Sequence, residues 1–537
     1  MENERHALLG DEAVALGAIH AGINAAYGYP GTPSSEILQF LINVYEKGGP
    51  VARWCSNEKT ALEAALGVSF AGRRSLVTMK HVGLNVASDP FINAALLKIK
   101  GGLVIVVADD PGMHSSQNEQ DSRFYANFAM VPCLEPRNQQ EAYEMVREAF
   151  DVSEKFNIPV MLRLVTRLAH ARAVVVSGKA SPHNPVSKTM EKTGWMLLPA
   201  FARKNYSALL EKQNLLEKWS SQHPVNKLTG SKSDIGIITS GLGGNYYEEN
   251  LDDFIAMRKK QGKKAPVHLH IGAYPLPAEK IRTLCGNCDE VLIIEEGQPF
   301  IAGKIYGIAG GVTKPVIQYG ELDPDNVRQV LGLPKRKSIK SNTGELPLRP
   351  PQLCQGCPHI DSYQSINKAV AALDPRPGHP DVGVNSDIGC YSLGAAPPLS
   401  SIESIVCMGA SVGMAKGAAD AGLKHSLGVI GDSTFIHSGI TALIDAVESD
   451  TPMTLIILDN SSVAMTGCQP TILPSGNLVN LLTGCGVKKE HILELEARPN
   501  LVDENSEKLK KEIEYRGLSV VIFRRECIEN FRRRKKK

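Results

Sequence analysis

The chain has 537 residues, more than one hydrophobic core can organise, since single domains stop growing near roughly 250 residues, so about three to four domains are expected. Hydrophobic residues make up 43% and charged residues 22%, which excludes a disordered polymer and a small disulfide-stapled module. Lys and Arg number 59 against 57 Asp and Glu, so no global field draws the chain to nucleic acid or to an acidic membrane surface. The charged opening MENERHALLG lacks the apolar stretch of a signal peptide, and no apolar run approaches the roughly 20 residues of a membrane span, so a cytoplasmic protein outside the membrane is expected. Eleven cysteines, an odd number spread over the chain, suit a reducing compartment in which they are metal ligands, catalytic groups or small core residues.

In chain order, RRSLVTMK, GGLVIVVADDPG and IPVMLRLVTR are short buried runs, each following a helix-like segment, the pattern of a parallel sheet flanked by helices. They define a first α/β domain over residues 1–175. Residues 176–230 are polar, basic and punctuated by Pro, with one helical stretch, SALLEKQNLLEKW, and read as a connector. A second α/β domain over 231–335 offers IGIITSG, APVHLHIG, EVLIIEEG and KPVIQYG as strands, and the Pro-rich, basic segment 336–351 reads as a linker. The third α/β domain, 352–528, carries SIVCMG, HSLGVIGD, MTLIILDN and SVVIFRR. The basic tail 529–537, with its run Arg532 to Lys537, reads as a solvated terminus whose self-repulsion favours disorder.

The chemistry concentrates at strand ends of the third domain. Asp432 leaves one apolar run at a Gly-led turn and Asn460 leaves the next, so two oxygen ligands can converge on a hard cation, and Mg²⁺ characteristically combines one or two protein ligands with phosphate oxygens of a cofactor. A helix-capping Asp and a turn Asn would give the same residues without a metal. The GDS…N spacing resembles the thiamine diphosphate motif, with Ser433 in place of its last Gly. Thiamine enzymes also need a carboxylate from another domain, and Glu58, opening the small-residue helix of NEKTALEAALG, is the candidate.

YGYPGTPSSEI, NEKTALE, TMKHVGLNVASDP, ADDPGMHSSQNEQDSR, CQGCPH, DIGCYSLG, CMGASVGMAKG and GDSTFIHSGIT follow one another from Tyr27 to Thr441, within a resemblance that covers Leu8 to Arg525. With this series the chain resembles the alpha subunits of indolepyruvate:ferredoxin oxidoreductases, within the 2-oxoacid:ferredoxin oxidoreductase superfamily. The resemblance implies three α/β domains of thiamine-enzyme type: pyrimidine-binding, transketolase C-terminal-like and diphosphate-binding. It implies that Glu58 activates thiamine diphosphate, that Asp432, Asn460 and the Ser462 carbonyl hold Mg²⁺, and that Gly389, Cys390, Gly409, Gly431, Ser433, Met465 and Thr466 line the cofactor. It also implies that Thr32 binds the substrate carboxylate, although PSSE directly after it suits helix capping equally. His81 and His114, in polar loops after apolar strands, are candidates for orienting a 2-oxo group or moving a proton, with an ordinary structural hydrogen bond as the alternative.

Cys354 and Cys357 form a CxxC before a helix, Cys390 stands in DIGCYSLG, and Cys527 follows the last strand. The resemblance implies that these four hold one [4Fe–4S] cluster, with Zn²⁺ or simple turn packing as the alternatives. Cys285 and Cys288 read as a helix-end turn, and Cys55, Cys133, Cys407 and Cys485 as small core residues. The implied reaction is oxidative decarboxylation of an aryl 2-oxoacid to an arylacetyl-CoA, with coenzyme A as co-substrate, a beta subunit in an α₂β₂ assembly, and ferredoxin as acceptor. Three features depart from the family: the C-terminal ferredoxin-like domain with its two CxxCxxCxxxCP runs is not in this sequence, Cys468 stands where His is expected, and Ile360 where Arg is expected. They leave a separate electron carrier, a catalytically silent subunit and a non-oxidative decarboxylase as alternatives.

Overall fold

The computed structural model describes residues 4–46, 48–188, 191–306, 313–315, 320–336 and 352–536. The linker at 336–351 thus lies, apart from residue 336, outside the described residues, as does most of the strand expected in KPVIQYG. The chain forms two compact units, Met1–Lys340 and Ser341–Lys537. The first contains strands β1 (Glu4–Leu9), β2 (Ala25–Gly28), β3 (Val51–Trp54), β4 (Ser75–Lys80), β5 (Leu103–Asp109), β6 (Cys133–Leu134), β7 (Val160–Val165), β8 (Arg172–Ser177), β9 (Leu228–Thr229), β10 (Ile235–Ser240), β11 (Val267–Ile271), β12 (Ala273–Tyr274), β13 (Glu290–Ile294) and β14 (Thr313–Pro315). The second contains β15 (Val382–Ser386), β16 (Ser404–Ile405), β17 (His425–Gly431), β18 (Met453–Asp459), β19 (Ser462–Val463), β20 (Gln469–Pro470), β21 (Ile492–Glu496) and β22 (Ser519–Arg524).

Three larger sheets organise most of these strands, while β1 with β8 and β19 with β20 form two antiparallel pairs. One runs β12-β6-β7-β5-β4-β2-β3 and another β14-β13-β10-β11-β9, both parallel except at the β12 and β9 edges. The third, β16-β15-β17-β18-β22-β21, is parallel throughout. Strands β4, β5, β7, β17 and β18 are buried at every residue, as expected of sheet centres covered on both faces. Their helices follow the same logic: Gln139–Phe156 turns Ala142, Tyr143, Val146, Ala149 and Phe150 inward, starts where Asn138 accepts from the Glu141 amide at 2.9 Å, and stops at Asn157 with φ 49°.

The two sheets of the first unit share their cores. Ile237, Tyr247 and Leu292 pack with Val104, Leu162 and Phe150, and β12 adds itself to the edge of the first sheet through β6. A charged cluster is sealed between them. Arg163 is fully buried; its Nε donates to Asp109 Oδ2 at 2.6 Å and its fork also binds Glu135. Arg123, 1% exposed, binds Asp121 and lies 3.1 Å from Glu295, while Tyr274 donates to Glu135 at 2.6 Å. Burial pushes the Asp109 and Glu295 carboxyls up and raises Glu296 to about 7, whereas for Asp121 the pull of Arg123 and Arg163 outweighs burial and holds it low.

Two expectations are corrected. The tail is helical over its described residues: Ile528–Lys536 is a helix, because Arg532 and Arg533 donate to the carbonyls of Gln355 and Gly467 and the mixed charges pair as Glu529–Arg532 and Glu526–Arg534. Cys407 is exposed and not a core residue, since the strand expected in SIVCMG stops at Ile405.

Replacing Arg163 with Leu leaves Asp109 and Glu135 buried without their cation, and breaking such a pair costs about 3–5 kcal/mol. The expected outcome is a lowered thermal midpoint for the first unit, measured by calorimetry of the full chain, with the second unit's transition unmoved.

Candidate active site

Site residues expected from the sequence lie in both units, and each set is built at carboxyl ends of parallel strands, where open α/β sheets place their ligands. In the first unit Glu58 is the opening residue of helix Glu58–Phe70, whose start is fixed by Asn57 accepting from the Thr60 amide at 2.8 Å. Its carboxylate is 5% exposed and lies against Gly83, where a Cβ would stand 2.5 Å from Oε1. Only glycine at 83 leaves room for this carboxylate.

Thr32 is half-buried in the loop between β2 and helix Ser35–Tyr45, and its side chain does not cap that helix; the N-cap position is Ser34. The loop is tied internally by Ser34 Oγ donating to the Gly31 carbonyl at 2.8 Å and Gly31 N donating to Ser35 Oγ at 2.9 Å. Ser115 Oγ donates to the Thr32 carbonyl at 3.2 Å, and Ser115 in turn accepts from Lys80 Nζ through both its carbonyl (2.6 Å) and its hydroxyl (3.1 Å). Lys80, which sequence reasoning missed, ends β4 and is 7% exposed; burial lowers its ammonium to about 8, opposed by Asp110. A lysine closing an apolar strand, next to TMKH, was the available signal.

His81 and His114 are not together. His81 opens the short helix His81–Val86 and does not sit in a loop; it is 1% exposed, with Nε2 3.3 Å from the Asn118 carbonyl and Nδ1 buried without a hydrogen-bond partner. His114 is exposed and turns to Glu321 at 3.1 Å, beside Arg167 on the same carboxylate.

In the second unit Asp432 follows β17 and Asn460 follows β18, which are adjacent, parallel and in register with Gly431 beside Leu458. Asp432 is 7% exposed and its Oδ2 is buried with no hydrogen-bond partner. Burial, then the neighbouring Asp459, raises its carboxyl to about 8 against backbone amides that favour the anion. An orphaned carboxylate oxygen beside a second carboxylate at a strand end fits a hard divalent cation. Ser433 Oγ is likewise buried without a partner, a free donor toward the same region.

The surrounding loops leave space only through glycine. Tyr391 is wedged so that a Cβ on Gly389 would meet its ring at 2.2 Å and one on Gly431 at 2.6 Å. Gly409, with φ +83°, opens helix Ala410–Asp420 and packs on Ser438 in the π-helical turn Phe435–Gly439, where a Cβ would stand 2.6 Å from Ser438 Cβ. Asp387, at the end of β15, receives the Tyr391 hydroxyl and the Ser411 amide and is raised by burial to about 6. The DIG of DIGCYSLG was its sequence signal. These glycines and the unpartnered polar atoms Asp432 Oδ2 and Ser433 Oγ suit a diphosphate with its cation. Met465 is exposed and Thr466 Oγ1 donates to Gln469 at 2.7 Å, both in the segment joining β19 and β20.

Of the four expected cluster cysteines, Cys390 and Cys527 lie at Asn460, and Cys354 and Cys357 lie near enough to them to act on their thiols. Cys527 N donates to the Asn460 carbonyl at 3.1 Å, and Asn460 Nδ2 lies 4.0 Å from Cys390 Sγ and 3.2 Å from His359 Nε2. Asn460 Oδ1 accepts from the Ser462 amide at 3.0 Å, which shapes the turn that carries the Ser462 carbonyl. Burial raises the Cys390 thiol to about 12 and the Cys357 thiol to about 11, and in each case the neighbouring thiols, Cys354 and Cys527 included, push further. Neighbouring thiols of this kind are donors that a metal or iron–sulfur group takes up by displacing their protons. His359 was missed although it stands two residues past the CxxC. Burial lowers it to about 4, so its neutral Nε2 accepts from Asn460 and faces Cys390 Sγ at 3.4 Å. Cys468 lies beside Cys527 with φ +63°. Cys285 and Cys288 sit at the end of helix Ala278–Gly286, Cys288 Sγ 3.0 Å from the Leu284 carbonyl.

Residues 16–194 match the family model of pyruvate flavodoxin/ferredoxin oxidoreductase, thiamine diphosphate-binding, and residues 387–523 that of the thiamine pyrophosphate enzyme C-terminal TPP-binding domain. Indolepyruvate oxidoreductase subunit IorA of Archaeoglobus fulgidus and that of Methanothermobacter marburgensis are each 37% identical to this chain, over 98% of it and 87% of their own lengths. The 2-oxoglutarate:ferredoxin oxidoreductase of Magnetococcus marinus, solved with 2-oxoglutarate, coenzyme A and succinyl-CoA, shares the fold with a TM-score of 0.51 at 16% identity, over 62% of this chain and 65% of that one. Among the described residues no helix is long and apolar enough to cross a membrane. The chain belongs to the IorA family of indolepyruvate oxidoreductase subunits, thiamine-dependent members of the 2-oxoacid:ferredoxin oxidoreductases.

Proposed function

We propose that this chain is the thiamine-binding alpha subunit of an indolepyruvate:ferredoxin oxidoreductase, which decarboxylates aryl 2-oxoacids oxidatively and passes the acyl group to coenzyme A and the electrons to ferredoxin. The observation that supports the reading is Asn460, whose side chain lies 4.0 Å from Cys390 Sγ at the strand end next to that of Asp432, whose Oδ2 is buried without a partner. Residues 1–175 are the pyrimidine-binding domain, 176–230 a connector, 231–335 the transketolase C-terminal-like domain, and 352–528 the diphosphate-binding domain. A beta subunit completes an α₂β₂ assembly, and the protein works in the cytoplasm, where its cysteines stay unpaired.

Thiamine diphosphate, when bound, supplies an electron sink for loss of CO₂. Glu58 accepts a hydrogen bond from the pyrimidine ring nitrogen and sets its tautomer, a task suited to a carboxylate held rigidly against Gly83. Asp432, Asn460 and the Ser462 carbonyl hold Mg²⁺ on the diphosphate, with Gly389, Gly409, Gly431, Ser433, Met465 and Thr466 lining it. Thr32 and the buried ammonium of Lys80 receive the substrate carboxylate, the cation offsetting its charge in a low-dielectric pocket. His81, whose Nδ1 is buried without a hydrogen-bond partner, orients the 2-oxo group or moves a proton. Cys354, Cys357, Cys390 and Cys527 hold one [4Fe–4S] cluster, which accepts electrons singly.

Three outcomes are expected with the beta subunit supplied under anaerobic conditions. Glu58→Gln lowers indolepyruvate- and coenzyme A-dependent methyl viologen reduction roughly 10²–10⁴-fold; an unchanged rate sinks the assignment. Cys357→Ser loses the complement of about four irons per chain that one cubane requires, while thiamine diphosphate still binds, whereas retained CO₂ release without iron in the parent chain marks a lyase. The third concerns pH. Asp432 keeps a proton in the folded, cation-free chain that it gives up on unfolding, so that chain loses stability as pH rises from the ordinary aspartate range to about 8. Asp432→Asn removes this slope in denaturant titrations, and in the parent Mg²⁺ affinity rises about tenfold per pH unit across the same window as that proton is displaced.

A further inference from the structure

Asp11, Glu36 and His170 play no part in the chemistry above, yet they form a closed donor set. Asp11 is the second residue of helix Gly10–His20, is fully buried, and neither of its carboxylate oxygens has a hydrogen-bond partner. Glu36 is the second residue of helix Ser35–Tyr45; its Oε2 also lacks a hydrogen bond and lies 3.7 Å from Nε2 of His170, the last residue of helix Thr166–His170. One ligating atom from each of the three lies within 4.8 Å of the others. Asp11 is buried without a donor beside the part-exposed side chains of Glu36 and His170 (42% and 37% exposed), and an unpartnered buried carboxylate next to a second carboxylate favours positive charge between them.

We infer that Asp11, Glu36 and His170 form a structural site for a divalent transition cation of the zinc class. Two carboxylates and one imidazole match ions such as Zn²⁺, Mn²⁺ or Fe²⁺ rather than Mg²⁺, which prefers an all-oxygen shell. Atoms at about 2.1 Å from one ion lie roughly 3–4 Å apart, a spacing these side chains reach by small rotations. The ion would bind the starts of two helices to the end of a third. Helix Ser35–Tyr45 begins directly after the Tyr29–Ser34 loop that carries Thr32, so the cation anchors that loop to helix Gly10–His20. The rival occupant is a proton shared between Asp11 and Glu36, with an ionised His170 beside them: burial and Glu36 raise Asp11, and Glu36 raises His170.

Co²⁺ is the probe, because its ligand-field bands report nitrogen and oxygen ligands while thiolate ligands add intense near-ultraviolet charge transfer, which separates this site from the cysteines. The metal-free full chain is titrated with Co²⁺ alone, in parallel with Asp11→Asn and His170→Ala. The expected result is one nitrogen- and oxygen-ligated equivalent that is lost in Asp11→Asn and bound roughly tenfold or more weakly in His170→Ala, with the thiolate signal unchanged in both. Asp11→Asn removes the anion and offers an amide donor toward Glu36; should it fail to fold, His170→Ala, at a partly exposed position, decides alone. Equal stoichiometry and affinity in parent and variants overturns the site in favour of the shared proton, as does a parent chain that binds Co²⁺ only through thiolates.

Discussion

Two guanidinium groups sealed between sheets set the terms for the first unit. Arg123 and Arg163 have no water to solvate them, so every neighbouring carboxylate is recruited to a fixed place: Asp109 at the end of β5, Glu135 just past β6, Glu295 just past β13, and Asp121 in the intervening loop. A buried ion pair adds little net stability compared with an apolar contact, but once built it tolerates no partner's removal. The geometry therefore fixes how the strand ends of one sheet face those of the next. Asp109 and Asp110 end β5 together, the first held by Arg163 and the second by Thr166, Ser115 and Ser116, so the loop carrying Lys80's partner is aligned by the same strand.

The second unit handles charge in the opposite way. Its central carboxylate, Asp432, has no guanidinium against it, and its cysteines push one another's protons tighter. Asp459, one strand over, is by contrast satisfied by Arg524 at 3.1 Å and by the Ser461 amide. Two adjacent strand ends thus carry one ion-paired carboxylate and one whose Oδ2 is buried without a hydrogen-bond partner. The same contrast separates Asp11 from the salt-bridged acids around Arg163.

Much of this was legible in the amino-acid sequence because burial on both faces forces parallel strands into continuous apolar runs, as in LVIVVAD and MTLIILD. Asp432 and Asn460 were legible because each follows such a run, and strand ends are where ligands bind. What stayed hidden depends on distant partners. The helix Ile528–Lys536 looks like a solvated charge run until Arg532 and Arg533 find carbonyls 177 and 66 residues away. Strand β1 is largely exposed and shows no apolar alternation, so only its pairing with β8 reveals it. Lys80 and His359 are single polar residues whose burial comes from loops far along the chain, and Cys407 lies past Ile405, where the strand begun in SIVCMG ends. Local pattern carries periodicity; it does not carry who meets whom across a fold.

The wedge formed by Tyr391 acts as a gauge block. One aromatic ring sets the gap between the DIGC loop and the end of β17, and both glycines that flank it are held small by that same ring. Positions 389, 391 and 431 therefore form a single steric unit: shrinking the ring would release both glycines at once, while enlarging either glycine first meets a filled space. Among homologous chains the three positions should accordingly drift as a linked set, with the bulk lost at 391 reappearing at 389 or 431, and the spacing of the two loops, rather than any one side chain, is what is inherited.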